Sequence, residues 1–185
     1  MSKILSLKEL TNEIANLSIS GFDLPKCSTD YEADPKKKRI RIFNLKYSKS
    51  IFKVALIGEV TTNGIAVNTW DGGASTYSIG LRFADSIDYE NFEKVVDFLI
   101  SNLNDSWDLT NSIKDEIIYL KLKPTNDKKS FGVKSNIKLD PKKPNECTIT
   151  QGQGVTVVVE LGVYLNMEDS KAGLTIKPIS FCFDE

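Results

Sequence analysis

The groups in this 185-residue chain whose types and spacing could do chemistry are cations interleaved with aromatic rings. Lys36, Lys37, Lys38, Arg39 and Arg41 form a basic run that continues to Lys46, Lys49 and Lys53, with Phe43, Tyr47 and Phe52 among them. Trp70 and Tyr77 flank a second feature, the turn Asp71-Gly-Gly-Ala74, and Arg82 lies at the end of the strand that follows. A further cluster runs from Lys121 through Lys123, Lys128, Lys129, Lys134, Lys138, Lys142 and Lys143, and it brackets Phe131. Lysines and arginines neutralise phosphates and release their counterions, and exposed rings stack on bases. That chemistry is single-stranded nucleic-acid binding. The competing reading is that lysines blunt strand edges and keep loops soluble, with the rings in the core. Polar or turn neighbours make Trp70, Tyr47 and Tyr77 the rings expected at the surface.

Other chemistries are poorly supplied. Histidine is absent, which removes the commonest general base, the usual serine or cysteine dyad and most zinc sites. Three cysteines, Cys27, Cys147 and Cys182, show no C-x-x-C spacing and read as free thiols in a reducing compartment. Asp85, Asp88 and Glu90, like Asp105 with Asp108 and Asp115 with Glu116, lack the alternation of a calcium loop. Neither phosphate-binding glycine motif is present, and Gln151-Gly-Gln-Gly154 leads into a strand, not a helix. The chain therefore reads as a non-enzymatic binding protein without metal or cofactor. Net charge is −1, but its distribution is uneven, with acids gathered between Asp85 and Glu116. No apolar run is long enough to span a membrane and no secretory leader is evident, so an intracellular location is expected.

These residues must be positioned by a mainly β chain. Ser6-Leu-Lys-Glu9 fits a capping box, and Leu7, Leu10, Ile14 and Leu17 recur at helical spacing, so residues 1–20 are expected to hold a short helix. Arg39–Tyr47, Ser50–Gly58 with an extension to Thr62, Ile65–Trp70 and Thr76–Phe83 read as strands, with Asn63-Gly64 as a hairpin turn. From Asp85 the period changes to helical. Asp88 is expected to cap a helix carrying Phe92, Val95, Val96, Leu99 and Leu103, and a shorter helical stretch is expected over 110–116. Ile117–Lys123 reads as a strand ending at Pro124, and 124–146 as a long basic loop or a pair of weak strands.

The end of the chain is the clearest strand pair: Val155–Tyr164 and Ala172–Phe181 around a polar turn. Pro178 gives no ladder N–H and must sit at an edge, a bulge or a strand end. The glycine-led V-x-V-x-x-x-L-x-V-Y strand followed by K-A-G-L-x-I-K-x-I-x-F resembles the closing part of single-stranded DNA-binding proteins of phages and large DNA viruses. The element pattern reads as a single-domain five-stranded barrel with a helical insertion over 85–116, a β-sandwich with a helical insertion being the alternative. The resemblance independently implies an oligonucleotide-binding barrel (OB fold). It also implies sequence-tolerant binding of single-stranded DNA during viral replication, recombination or repair, with replication proteins as partners. A longer acidic tail is usual there, whereas Asp184 and Glu185 are the only acids after Phe183. RNA in place of DNA, and a homo-oligomer, remain open. The alternative from the residues is a virion, scaffold or protein-interaction β domain.

Overall fold

The computed structural model describes residues 4–13, 40–44, 46–47, 50–51, 53–69, 75–101, 108–110, 113–114, 116–166 and 171–185. Alternating apolar residues build the frame. In β5 (Lys53–Val60) Val54, Leu56 and Val60 point inward, and in β7 (Ser75–Phe83) Ile79, Leu81 and Phe83 do so. β10 (Ile117–Leu122) turns Ile118, Leu120 and Leu122 inward. β12 (Gly154–Asn166) and β13 (Lys171–Phe183) form the long closing antiparallel pair. Both run beyond the bounds expected from sequence.

The order of the five principal strands is β13-β12-β5-β7-β10. Three consecutive antiparallel strands, β5, β7 and β10, are followed by β12, which returns to lie beside the first. This is a Greek key with a fifth strand added, the arrangement of a five-stranded, partly open barrel. The sheet curls into a half-barrel, and β10 approaches β13 without a ladder between them. A mainly β, OB-like fold is what the sequence pattern called for.

Shorter strands extend the frame. β1 (Ile4–Ser6) runs parallel to the start of β5, and β2 (Ile40–Asn44) pairs with the far end of β12. β3 (Lys46–Tyr47) and β4 (Ser50–Ile51) form a separate two-stranded ribbon. β6 (Ala66–Thr69) is the hairpin partner of β7. β8 (Asp108–Thr110) and β11 (Lys134–Ser135) both lie parallel to β13, and β9 (Ile113–Lys114) pairs with β10.

Both α-helices among the described residues are held by side-chain caps. α1 (Leu7–Glu13) begins with a reciprocal box: the Ser6 N–H donates to Glu9 Oε2 at 2.8 Å, and the Glu9 N–H donates to Ser6 Oγ at 3.2 Å. It buries Leu7 and Leu10 against α2 (Ser86–Ser101). The rest of the expected stripe, Ile14 and Leu17, lies outside the described residues. In α2 the cap is Asp85, not Asp88: the Ile87 N–H donates to Asp85 Oδ1 at 2.8 Å. Asp88 is left in the first turn, where its charge complements the helix dipole. Phe92 and Val95 are fully buried, and Phe92 meets the Phe83 ring at 5.5 Å.

Two further expectations are corrected, and the one for Pro178 is met. The described residues of the 110–116 stretch, Thr110, Ile113, Lys114 and Glu116, are not helical. Ile113 and Lys114 pair as a strand with Ile118 and Ile117, and Glu116, at φ +62°, turns the chain into Ile117. The β-branched isoleucines on either side favour that ladder. Asn63-Gly64 does not turn β5 into β6, because β6 pairs with β7 instead. Distant hydrogen bonds hold the Asn63-Gly64 bend: the Gly64 N–H donates to Ile149 O at 3.0 Å, and Asn63 Oδ1 accepts the Gln151 N–H at 2.8 Å. Gly64 has φ +64°, and a Cβ there would lie 3.0 Å from Pro144 O. Pro178 sits in the interior of β13 but at a register shift, facing Val159 while Ser180 faces Val158. The bulge spares the ladder the N–H that proline lacks.

Candidate nucleic-acid interface

Strands two and three of such a barrel, β7 and β10, present an outer face built by the alternation that fills the core. With Ile118, Leu120 and Leu122 inside, β10 must turn Ile117, Tyr119 and Lys121 outward. On β7 the outward set is Ser78, Gly80 and Arg82, standing across from Lys121, Tyr119 and Ile117 respectively. Tyr119 is 49% exposed. Its cross-strand neighbour Gly80 has no side chain, and Thr61 Oγ1 fills the place a Cβ would take. The ring thus stands free at the surface with a cation two residues along its strand.

The basic segment leaves β10 from this face. Lys123 is exposed, and its carbonyl accepts the Gly132 N–H at 3.1 Å. The Thr125 N–H donates to Ser130 O at 2.8 Å, and the Lys128 N–H donates to Thr125 O at 2.8 Å. Residues 123–132 are therefore a small hairpin with a tight tip, and Lys128 adopts a left-handed φ of +53°. Thr125 Oγ1 donates to Asp127 Oδ1 at 2.6 Å, and the Lys129 N–H donates to the same oxygen at 3.1 Å. These bonds, the hydroxyl first, hold the Asp127 carboxyl below its ordinary value. Asp140 is likewise lowered, chiefly by the Lys142 N–H, and Lys143 is raised by its bond to Glu146.

Not every lysine is free for phosphate. Lys129 approaches Asp127 at 3.9 Å, Lys138 approaches Asp140 at 3.5 Å, and Lys143 approaches Glu146 at 2.7 Å. Such exposed pairs contribute little to stability, but they neutralise one another locally. Lys121, Lys123, Lys128 and Lys134 form no ion pair among the described residues. Arg82 faces Glu59 across the ladder.

The expected contacts are distributed unevenly. Arg82, Lys128, Lys129 and Lys134 are all exposed, the first on β7, the next two at the hairpin tip and the last on β11. Phe131 is not a ring offered to a base: it is 4% exposed, bridges to Pro124, and meets Tyr77 edge-on at 5.2 Å. Tyr77 is half-buried against the core in that contact. Both rings close the base of the hairpin, where Phe131 bridges to Pro124. Arg41 lies on β2 across from Leu165, and Tyr47 lies on β3 across from Ser50. Lys36, Lys37, Lys38, Arg39, Lys49 and Trp70 lie outside the described residues.

The ring missed from sequence is Tyr119, with Lys121 beside it. The signal was present in the alternation Ile118, Leu120, Leu122, which assigns the intervening residues to the outer face. The basic segment, which sequence reads as a long loop or a pair of weak strands, carries the short strand β11 and is anchored beside it. Asn136 Nδ2 donates to Phe183 O at 2.7 Å, and the Phe183 N–H donates to Asn136 Oδ1 at 2.9 Å, so a side-chain amide prolongs the β11–β13 ladder. No cluster of three or more metal-ligating side chains occurs among the described residues, nor does a helix long and apolar enough to cross a membrane. No protein-family model, curated protein or solved structure matches the chain.

Proposed function

We propose that this protein binds single-stranded nucleic acid, DNA foremost, without sequence preference, along the outer face of β7 and β10 and onto the 123–132 hairpin. The observation that carries the reading is Tyr119: a half-exposed ring on the third strand of a Greek-key barrel, opposite a glycine and two residues from Lys121. In barrels of this kind the face of the second and third strands is where oligonucleotides lie. Stacking on a ring tolerates any base, and lysines track the backbone beside it. Protection of single-stranded DNA in replication, recombination or repair, as the sequence resemblance implies, would rest on this binding.

Geometry sets the scale. Arg82, Lys121, Lys123 and Lys128 give four cations without a short ion pair among the described residues. Four phosphate contacts on a single strand correspond to a slope of log K against log salt of roughly −3. Fluorescence anisotropy of a labelled oligonucleotide over a salt series, with duplex DNA as competitor, measures both the slope and the strand preference. A slope near this value and a preference for single strands are expected. Absence of binding at low salt, or equal competition by duplex, overturns the reading.

A further inference from the structure

The outer surface formed by β1, β5, β12 and β13 carries a pattern that nucleic-acid binding does not use. Residues facing each other across a ladder share a face, so the registers arrange this surface in four rows. The first holds Ile4, Lys53, Glu160 and Lys177, of which Glu160 and Lys177 neutralise each other at 3.2 Å. The next two rows hold no charged residue: Ser6, Ala55, Val158 and Ser180, then Ile57, Thr156 and Cys182; the Glu9 carboxylate is bonded to Ser6 at the β1 edge. The fourth is led by Glu59, across from Gly154, with the Asp184 carboxylate standing where a side chain on that glycine would be. Ile4 is 53% exposed and Ile57 52%, although both belong to strands whose inward residues are fully buried.

We infer that this face docks on a second copy of the chain. The outward residues of β5 read Lys53, Ala55, Ile57, Glu59: base, small, large, acid. A twofold axis between two such sheets, crossing β5 midway between Ala55 and Ile57, turns the order end for end. Lys53 then meets the partner's Glu59, and Ile57 meets the partner's Ala55, so that the large residue fills the space over the small one. An isologous interface requires this kind of self-complementarity. Other occupants fit less well, because a strongly charged partner would find one end of the stripe attractive and the other repulsive.

The area fixes the strength. Seven residues on each of β5, β12 and β13, with the three of β1, cover roughly 400 Å² of each copy, or about 800 Å² in all, below the ~1,200 Å² of stable complexes. The dimer is therefore weak and dependent on concentration, and the curl of the sheet centres its contact on β5.

Sedimentation equilibrium of the protein without nucleic acid, from low micromolar to near-millimolar concentration, tests this directly. Reversible dimerisation is expected. Ile57→Lys should abolish it, and Lys53→Glu or Glu59→Lys should each weaken it about tenfold or more by opposing like charges. The double variant, Lys53→Glu with Glu59→Lys, should restore it, because the swapped charges again face each other across the axis. Within one chain these two residues stand six positions apart on a strand, so the rescue reports on contact between copies. Circular dichroism confirms that each variant is folded. A monomer at every concentration, a dimer indifferent to Ile57→Lys, or single reversals that the double variant fails to rescue would each overturn the inference.

Discussion

Two aromatic residues on neighbouring parts of one surface should respond to truncation in opposite ways. Phe131 is 4% exposed and packs edge-on against Tyr77 with ring centroids 5.2 Å apart. Phe131→Ala removes a buried ring and should cost about 3–5 kcal/mol, including the lost aromatic pair. For a chain of this length that corresponds to a fall in Tm of roughly 6–20 °C. Phe131→Leu keeps most of the apolar volume and should give a smaller fall in the same direction. Tyr119, half exposed on the outer face of β10, should behave oppositely. Tyr119→Ala should change stability by only about 0.5 kcal/mol, as surface substitutions do. Its cost falls on binding, at about 1–3 kcal/mol for one lost base stack, a loss of roughly 5- to 150-fold. Thermal melts, with anisotropy titrations well below the lowest Tm, separate the two effects. The reasoning is refuted if Phe131→Ala melts like the parent yet loses affinity. It is equally refuted if Tyr119→Ala lowers Tm and leaves affinity intact.

Three further predictions concern the frame and its charges. Asp85→Ala should destabilise by about 1 kcal/mol through loss of the α2 cap, and Asp88→Asn by only a few tenths through the helix dipole; urea midpoints at constant slope compare them. Asn136→Ala removes two part-buried hydrogen bonds to Phe183 and should cost about 2 kcal/mol, with faster hydrogen exchange at the Phe183 amide. Unchanged exchange there would count against the side-chain ladder. Asp127 has a lowered folded pKa, so its stabilising contribution is present above the ordinary carboxylate range and is lost as pH falls through that lowered value. Thr125→Val removes the largest cause and should move the Asp127 midpoint, followed by carboxyl NMR, back toward that range.

Local rules made much of this molecule legible. The capping box at Ser6 and Glu9, the Phe92, Val95 and Val96 part of the α2 stripe (the Leu99 side chain and Leu103 lie outside the described residues), the closing pair β12–β13 and the bulge demanded by Pro178 all follow from neighbours a few residues apart. Where sequence reasoning failed, partners distant in the chain decided. Asn63-Gly64 has the composition of a hairpin turn, but its hydrogen bonds go to Ile149 and Gln151, more than eighty residues away. Residues 110–116 are long enough for a helical turn, yet the ladder to β10 outweighs so weak a propensity. Asp85 and Asp88 are both suitable caps by type, and only the hydrogen bond to Ile87 distinguishes them.

The same distinction governs the candidate site. Lysine and aromatic counts place positive charge and two rings, Tyr119 and Phe131, in the 117–143 segment, but they cannot say which ring faces water. That choice is made by the Greek-key return. Between β10 and β12 the chain crosses the open side of the half-barrel, donating β11 to β13 and the Asn136 amide to Phe183. Anchored at that end and hydrogen-bonded to Lys123 at the other, the hairpin has its base drawn over the core, and Phe131 is the residue that fills it. Lys128 and Lys129 are left at the tip. Burial of Phe131 is thus what holds the lysine-bearing hairpin at the end of β10, next to the face that presents Tyr119 and Lys121. The packing role of one ring and the binding role proposed for the other follow from a single topology. Loosening the first should therefore blur the second: Phe131→Ala is expected to raise hydrogen exchange throughout residues 123–133, and exchange confined to Phe131 itself would separate the hairpin from the core.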